Sequence, residues 1–324
     1  MASQHIDIRN VAIIGANGKV GPAILQAILD AKSFKVTVLN RKSSKSTYSS
    51  DVKVAQIDDT YQHEQLVQTL KGQDALVIAF PGTQTENSIK LADAAFEAGV
   101  KLVIPADFGS CDSSDPRSLD LIPLYVNKKD VRDHLIKLSQ QSRQGGSPFT
   151  WTSLITGHFF DYGLRSGLLN IDVNKRTARV FDGGNDPFSN STLADIGLAT
   201  AKVLQQAGDA RLKDKLVFTQ SLSTTQKDLI AAVEKVIGAK INIEEVSSDE
   251  YIKKNKALLT GKGDDGVATE ELVSVEGIVN ADWEKKGDAF VNEALGMPKR
   301  DLDQLVKEAL SYIMFCHGRD ERLR

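Results

Sequence analysis

The chain has 324 residues, 41% hydrophobic and 26% charged, with a formal charge of −3. That is enough for one large domain or two ordinary ones, and no apolar run approaches the roughly eighteen residues a membrane span needs. Two distant cysteines, Cys111 and Cys316, exclude a disulfide framework and a metal-ligand cluster, and the lack of a dense basic stripe excludes nucleic acid as the main partner. The stretch Met1–Asp7 has neither the basic patch nor the apolar run of an export leader, so a cytoplasmic protein with reduced thiols is expected. Asn190-Ser191-Thr192 then reads as a chance match to the glycosylation pattern.

In chain order, short apolar runs at Val11–Ile14, Val36–Leu39, Val52–Ile57, Ala75–Ala79, Leu102–Ile104 and Phe149–Ile155 predict strands. Helical patterns lie between most of them. Pro22–Ala31 places Ile24, Leu25, Ile28 and Leu29 on one face, and Pro22 suits a first turn where its missing N–H is not needed. This alternation predicts an α/β fold with a doubly wound parallel sheet over residues 1–157, and ligands beyond the C-terminal ends of its strands. After Gly157 the rhythm changes. Strands are expected at Thr177–Phe181 and Leu216–Thr219, and helices at Leu193–Gln206, Thr225–Ile237, Glu250–Leu259, Thr269–Lys285 and Leu302–Met314. Gly183–Pro187 reads as a turn cluster and Gly261–Gly266 as a mobile loop. Residues 158–324 are expected to form a smaller mixed α/β lobe that takes the substrate, with some segments returning to the first domain.

Val11-Ala12-Ile13-Ile14-Gly15-Ala16-Asn17-Gly18-Lys19-Val20-Gly21 is the strongest signal. A strand runs into Gly-x-x-Gly-x-x-Gly and an amphipathic helix follows. The first glycine permits a tight turn, the second lets backbone approach a pyrophosphate, and the third lets helix and strand pack closely. Gly15, Asn17, Gly18, Lys19, Val20 and Gly21 are therefore candidate dinucleotide contacts. Gly18-Lys19 does not make a nucleoside-triphosphate loop, because Val20 stands where Ser or Thr is needed. The second strand ends Asn40-Arg41-Lys42-Ser43-Ser44 and lacks the acid that holds an NAD ribose; Arg41 and Lys42 would meet a 2′-phosphate, which selects NADPH/NADP+.

A further helix carries Tyr125, Lys128, Lys129 and Arg132. Val131, Leu135 and Leu138 form its inward stripe; Lys128 lies at the margin, and Lys129 is in phase with Arg132, Asp133 and Lys137 on the exposed side. A marginal lysine can be partly desolvated and so useful as an acid or base. The alternative is a surface lysine whose stem lies along apolar surface. Tyr125-x-x-x-Lys129 also has the spacing of the common short-chain dehydrogenases.

Gly15–Gly21, Asn40-Arg41-Lys42, Ile104-Pro105-Ala106-Asp107-Phe108-Gly109 and Lys128-Lys129-Asp130-Val131-Arg132 occur in the order of a known group. The chain resembles the NmrA-like and isoflavone-reductase-like atypical short-chain dehydrogenases, among them plant phenylcoumaran benzylic ether and pinoresinol–lariciresinol reductases. The resemblance is stronger in the N-terminal half. It implies a Rossmann-type fold and an NADPH-dependent reductase of a small, aromatic or secondary-metabolite substrate, with Lys128 as general acid/base. The family's Pro-Ser-Glu-Phe-Gly turn beside the nicotinamide corresponds to Pro105–Gly109, with a shortened acid and a lost hydroxyl. The resemblance also implies cofactor contacts at Phe80, Pro81, Gly82, Phe108, Lys128, Thr156 and Gly157. Tyr125, His158 and Phe159 are candidate substrate-side groups, with Phe159-Phe160 as an apolar wall or as core packing. Cys111 lies in a polar loop where exposure is expected, with acidic neighbours raising its pKa and arguing against a nucleophile. His63-Glu64 and His317 have no partners at metal spacing. Two other readings stay open: an NADP(H)-sensing regulator without catalysis, and a cofactor-dependent isomerase, dehydratase or epimerase. A monomer or homodimer is expected.

Overall fold

The computed structural model describes residues 6–50, 52–143, 146–259 and 266–320, with side chains described through 311. The expected loop at 261–265, the side chains of Cys316 and His317, and the tail 321–324 lie outside the described residues.

The first half runs β1 (Asn10–Ile14), α1 (Gly21–Asp30), β2 (Lys35–Arg41), β3 (Lys53–Ile57), α2 (His63–Leu70), β4 (Ala75–Ile78), α3 (Thr85–Ala98), β5 (Leu102–Ile104), α4 (Pro116–Leu121), α5 (Pro123–Ser139) and β6 (Thr150–Ile155). The second half adds β7 (His158–Phe159), α6 (Phe160–Ser166), β8 (Ile171–Asp172), β9 (Thr177–Phe181), β10 (Phe188–Ser191), α7 (Leu193–Gln205), β11 (Lys215–Phe218) and β12 (Leu222–Thr224). It ends with α8 (Gln226–Ile237), β13 (Asn242–Val246), α9 (Ser248–Lys256), α10 (Val267–Val279), α11 (Asn292–Leu295) and α12 (Leu302–Asp320).

Seven strands form one parallel sheet in the order β11-β6-β5-β4-β1-β2-β3. Chain direction across the sheet reverses between β1 and β4, so the loops after these two strands diverge and leave a crevice. The two-residue strand period divides each strand between two cores. Val11, Ile13, Val77 and Ile104 pack with Ile24, Ile28, Ile196 and Val203 on one face. Ala12, Ile14, Ile78 and Val103 pack with Leu66, Leu91 and Leu135 on the other.

The second half of the chain contributes to this unit. β11 extends the sheet beside β6, and α7 lies against α1. Their approach is backbone-close: a Cβ on Gly197 would stand 2.3 Å from the Ala23 carbonyl oxygen. The remaining segments build two three-stranded sheets, β12-β10-β7 and β13-β9-β8, around a separate core that includes Leu164, Val180, Leu229, Leu272, Val275 and Leu310.

The expected helix Thr269–Lys285 is broken in the structure. α10 stops at Val279, and a 3-10 segment follows at Trp283–Ala289, with the Asp282 side chain capping it by accepting from the Glu284 N–H. Buried Ala281 and Trp283 force the break, because the Trp283 side chain enters the interior and its backbone N–H donates to Ser189 Oγ. Among the described residues no helix is long and apolar enough to cross a membrane.

The α1–α7 contact gives a direct test of this architecture. Gly197→Ala should lower unfolding free energy by about 1–3 kcal/mol, because the opposing group is backbone and cannot yield cheaply. Urea unfolding monitored by circular dichroism measures it; an unchanged midpoint would contradict the packing.

Candidate active site

The glycine turn shapes the crevice. Gly15 has φ of +82°, and a Cβ there would lie 2.6 Å from Ala79 C and Phe80 N, so the turn lies directly on the end of β4. A Cβ on Gly21 would stand 2.1 Å from the Gly15 carbonyl oxygen, which holds the start of α1 against the same turn. The Gly18 N–H donates to Gly15 O at 2.9 Å. Among the described residues no side chain caps α1, whose N-cap is Val20, so the helix directs uncapped donors and its positive dipole end toward the crevice.

A cavity of about 240 Å³ opens at this turn, lined among others by Gly15, Asn17, Gly18, Arg41, Phe80 and Pro81. Tyr48 and Tyr61 also line it, and neither was singled out in the sequence. Asn17 Nδ2 donates to Tyr48 Oη at 3.0 Å, and the Tyr61 and Phe80 rings meet edge to face at 6.5 Å. Arg41 and Lys42 part company. Arg41 stands on the cavity wall, whereas Lys42 pairs with Asp58 at 3.3 Å. Lys19 also turns away from the cavity. Its ammonium lies 4.8 Å from the Tyr162 ring centroid and 3.9 Å from Glu270, both in the second half.

Two loops converge on Lys128, those after β4 and β5. Its side chain is 9% exposed, its stem packs under Gly82, and its ammonium stands 5.0 Å from the Tyr125 ring centroid beside Gly109. Nζ donates to the Asp107 backbone carbonyl and lies 3.8 Å from Asp107 Oδ1. Burial pushes its pKa below the ordinary lysine value, and Arg132 adds to this, while Asp107 opposes it. Lys129 pairs with Asp133 on the exposed side, so it does not join Tyr125.

Tyr125 is buried. Its hydroxyl accepts from the Cys111 N–H at 3.2 Å and lies 3.4 Å from Ser110 Oγ. Burial raises its pKa well above the ordinary tyrosine value, so it stays protonated.

Phe108 is buried in the turn at φ +29°, an uncommon conformation for a residue with a side chain. The Thr156 N–H donates to Gly109 O at 3.1 Å, which ties the loop after β6 to the same turn.

The NmrA-like family model matches residues 8–278. The chain belongs to the NmrA-like family. Among its relatives, "Oxidoreductase aprR" of Aspergillus flavus is 26% identical over 308 residues, covering 93% of this chain and 98% of the relative. "Oxidoreductase poxI" of Penicillium oxalicum is 27% identical over 299 residues, covering 91% and 92%. The solved structure of AtPrR2 with NADP+ and (+)pinoresinol has a TM-score of 0.72 at 20% identity, covering 94% of this chain and 99% of that one. The leucoanthocyanidin reductase–NADPH complex from Vitis vinifera has a TM-score of 0.72 at 18% identity, covering 93% and 99%. These likenesses place the fold of this NmrA-like protein among the reductase structures of that type.

Two sequence expectations need correction. Arg132, expected on the exposed side of its helix, is buried: its guanidinium pairs with Asp107 Oδ2 at 3.2 Å and donates to Ser113. The loop 105–115 folds over that face of α5, which helical phase alone could not reveal. Cys111, expected exposed, is wholly buried, and burial pushes its thiol up to about 12; it is still no nucleophile, but for a different reason. Of the two readings left open for Phe159-Phe160, packing holds for Phe160, which is wholly buried in the second core, whereas Phe159 is half-buried.

His158 sits behind the turn. Its Nε2 donates to the Ser274 carbonyl at 3.2 Å and its ring meets Phe188 edge to face at 6.0 Å. A larger cavity of about 530 Å³ lies in the second half, lined among others by Tyr162, Asn170, Arg179, Glu271 and Ser274. α10 connects the two regions: Ser274 Oγ donates to Leu168 O on the cavity side, while the Val273 carbonyl faces Cys111 Sγ at 3.7 Å beside the Lys128 cluster.

Burial depresses the His158 pKa from 6.5 to about 4. The unfolded chain therefore binds this proton more readily, and stability falls as pH drops through 6.5, with no further loss from this source below about 4. The full window is worth about 3 kcal/mol. Urea midpoints between about pH 7.5 and 4.5 should fall in the native protein and fall less steeply in His158→Gln. Equal slopes would show that the imidazole titrates freely.

Proposed function

We propose that the protein is an NADPH-dependent reductase of a small, aromatic or secondary-metabolite substrate, with Lys128 as its general acid/base. The observation that carries this reading is the cavity bounded by the Gly15–Gly18 turn and Arg41. The residues fit a phosphorylated dinucleotide. The turn leaves no room for side chains, α1 offers uncapped amides to a diphosphate, and Arg41 can meet a 2′-phosphate with a charge-assisted bond worth about 1.5–3 kcal/mol. Among the described residues no carboxylate lines that cavity to bind a 2′-hydroxyl, and Asp58 is engaged by Lys42 and Thr60. The names of the fungal relatives, and the nucleotides bound in reductases of the same fold, support the same reading.

Bound there, NADPH would supply the hydride. Phe80 and Pro81 would lie along the cofactor, and Gly82, Phe108, Thr156 and Gly157 would frame the end at which Lys128 stands. Lys128 would deliver a proton from Nζ to a substrate oxygen as negative charge develops on it, or take one up in the reverse direction. Its ammonium, screened from water by Gly82, Gly109 and the Tyr125 ring, would stabilise an oxyanion more strongly than a solvated lysine could. A pure sensor would have no use for such a group. The 530 Å³ cavity is of the size that takes a small organic molecule, and Arg179, Glu271 and Ser274 on its wall could orient one.

Lys128→Ala should keep its affinity for NADPH and lose about a hundredfold or more in turnover, with Lys129→Ala close to native. NADPH oxidation followed by absorbance over a panel of aromatic ketones and enones, beside fluorescence titration of the cofactor, measures both. Loss confined to Lys129→Ala would overturn the assignment.

A further inference from the structure

We propose that Asp107 and Arg132 are positioning residues, a buried carboxylate–guanidinium pair that fixes where the Lys128 ammonium sits and how firmly it keeps its proton. The proposal rests on the reading of Lys128 as the proton-transfer group, and it is drawn from how the hydrogen bonds to one carboxylate are distributed.

Asp107 and Arg132 are both buried, at 3% and 6% exposure. A buried charge is costly unless it is paired and hydrogen-bonded. Here the satisfaction is one-sided. Asp107 Oδ2 accepts from Arg132 Nη1 at 3.2 Å, Ser113 Oγ at 2.9 Å and Ser153 Oγ at 2.5 Å. Arg132 is fixed in turn by donating to Ser113 Oγ at 2.7 Å and Ser113 O at 2.8 Å. The loop after β5, α5 and β6 thus hold one carboxylate oxygen together. The other, Oδ1, is buried without a hydrogen bond among the described residues and lies 3.8 Å from Lys128 Nζ. An ionised carboxylate has about four acceptor sites, so the unused capacity of Asp107 lies on the side of the lysine.

Arg132 follows Lys128 by one helical turn, so two cations on one face of α5 share a single acid. The two members of the pair must then act on Lys128 in opposite directions. Without the Asp107 charge, the ammonium would face Arg132 uncompensated and lose its proton more readily. Without Arg132, the whole carboxylate would serve Lys128, which would keep its proton to higher pH.

Among the described residues, the other groups around the ammonium carry no charge to compete. Cys111 and Tyr125 are buried and held protonated, the loop after β4 presents Gly82, and α3 presents Ser88. Glu276 of α10 is occupied by Arg117, Ser118 and Asn280.

The experiment is a pH titration of the full-length protein labelled with 13C at lysine Cε, the Lys128 signal being assigned by its loss in Lys128→Arg. It needs no substrate, so it stands whatever the turnover of Lys128→Ala shows about the reductase reading. In the native protein Lys128 should titrate below the ordinary lysine range. Asp107→Asn should move the Lys128 midpoint down by about one pH unit, and Arg132→Gln should move it up by a similar amount. A merely structural role would change stability, followed by urea unfolding, without producing shifts of opposite sign. A native Lys128 midpoint within the ordinary lysine range overturns the proposal. So does a folded variant whose midpoint stays unchanged, or two variants that shift together. If Asp107→Asn does not fold, the sign of the Arg132→Gln shift decides.

Discussion

The site depends on one close approach, that of Gly15 to the backbone of Ala79 and Phe80. β1 and β4 are neighbours in the sheet, and chain direction across it reverses between them. A side chain at residue 15 would separate their ends and displace the turn that carries the start of α1. The contact therefore joins a local requirement, a positive φ, to a global one, the topological switch point. Gly21 repeats the constraint one turn later against the Gly15 carbonyl.

From that anchor the molecule arranges charge by depth. Arg41 stays at the rim of the crevice, where a guanidinium can meet a phosphate at little desolvation cost, while Lys42 is drawn off by Asp58. Lys128 lies inside, where burial works against its charge and the turn after β5 partly restores it. The same turn holds strained Phe108 and accepts the Thr156 N–H. Distortion, burial and an incompletely used carboxylate thus meet in one short segment, a concentration usual where function outweighs local stability.

Much of the sheet was legible because its strands are buried on both faces and read as continuous apolar runs, as in Ala75–Ile78. The short strands β7, β8, β10 and β12 were not; two to four residues give too few alternations to register. The break after Val279 also escaped, because the interior selects Trp283 through a tertiary contact with Ser189. In the site, the glycine spacing pointed to a turn that the structure does place at a cavity. Helical phase placed Val131, Leu135 and Leu138 inward, where they are buried. Phase failed for Arg132 because exposure depends on what covers a helix, and the covering loop lies some twenty residues earlier in the chain. Tyr48 and Tyr61 had no signal at all. They reach the cavity from the loops after β2 and β3.

The most direct test of the central claim is calorimetric titration of the native protein and of Arg41→Ala with NADPH and NADH. The native protein should bind NADPH more tightly, and Arg41→Ala should lose about ten- to a hundredfold of that affinity with little change for NADH. Native protein that binds neither nucleotide, or prefers NADH, would contradict a dinucleotide seated on the Gly15–Gly21 turn with its 2′-phosphate at Arg41.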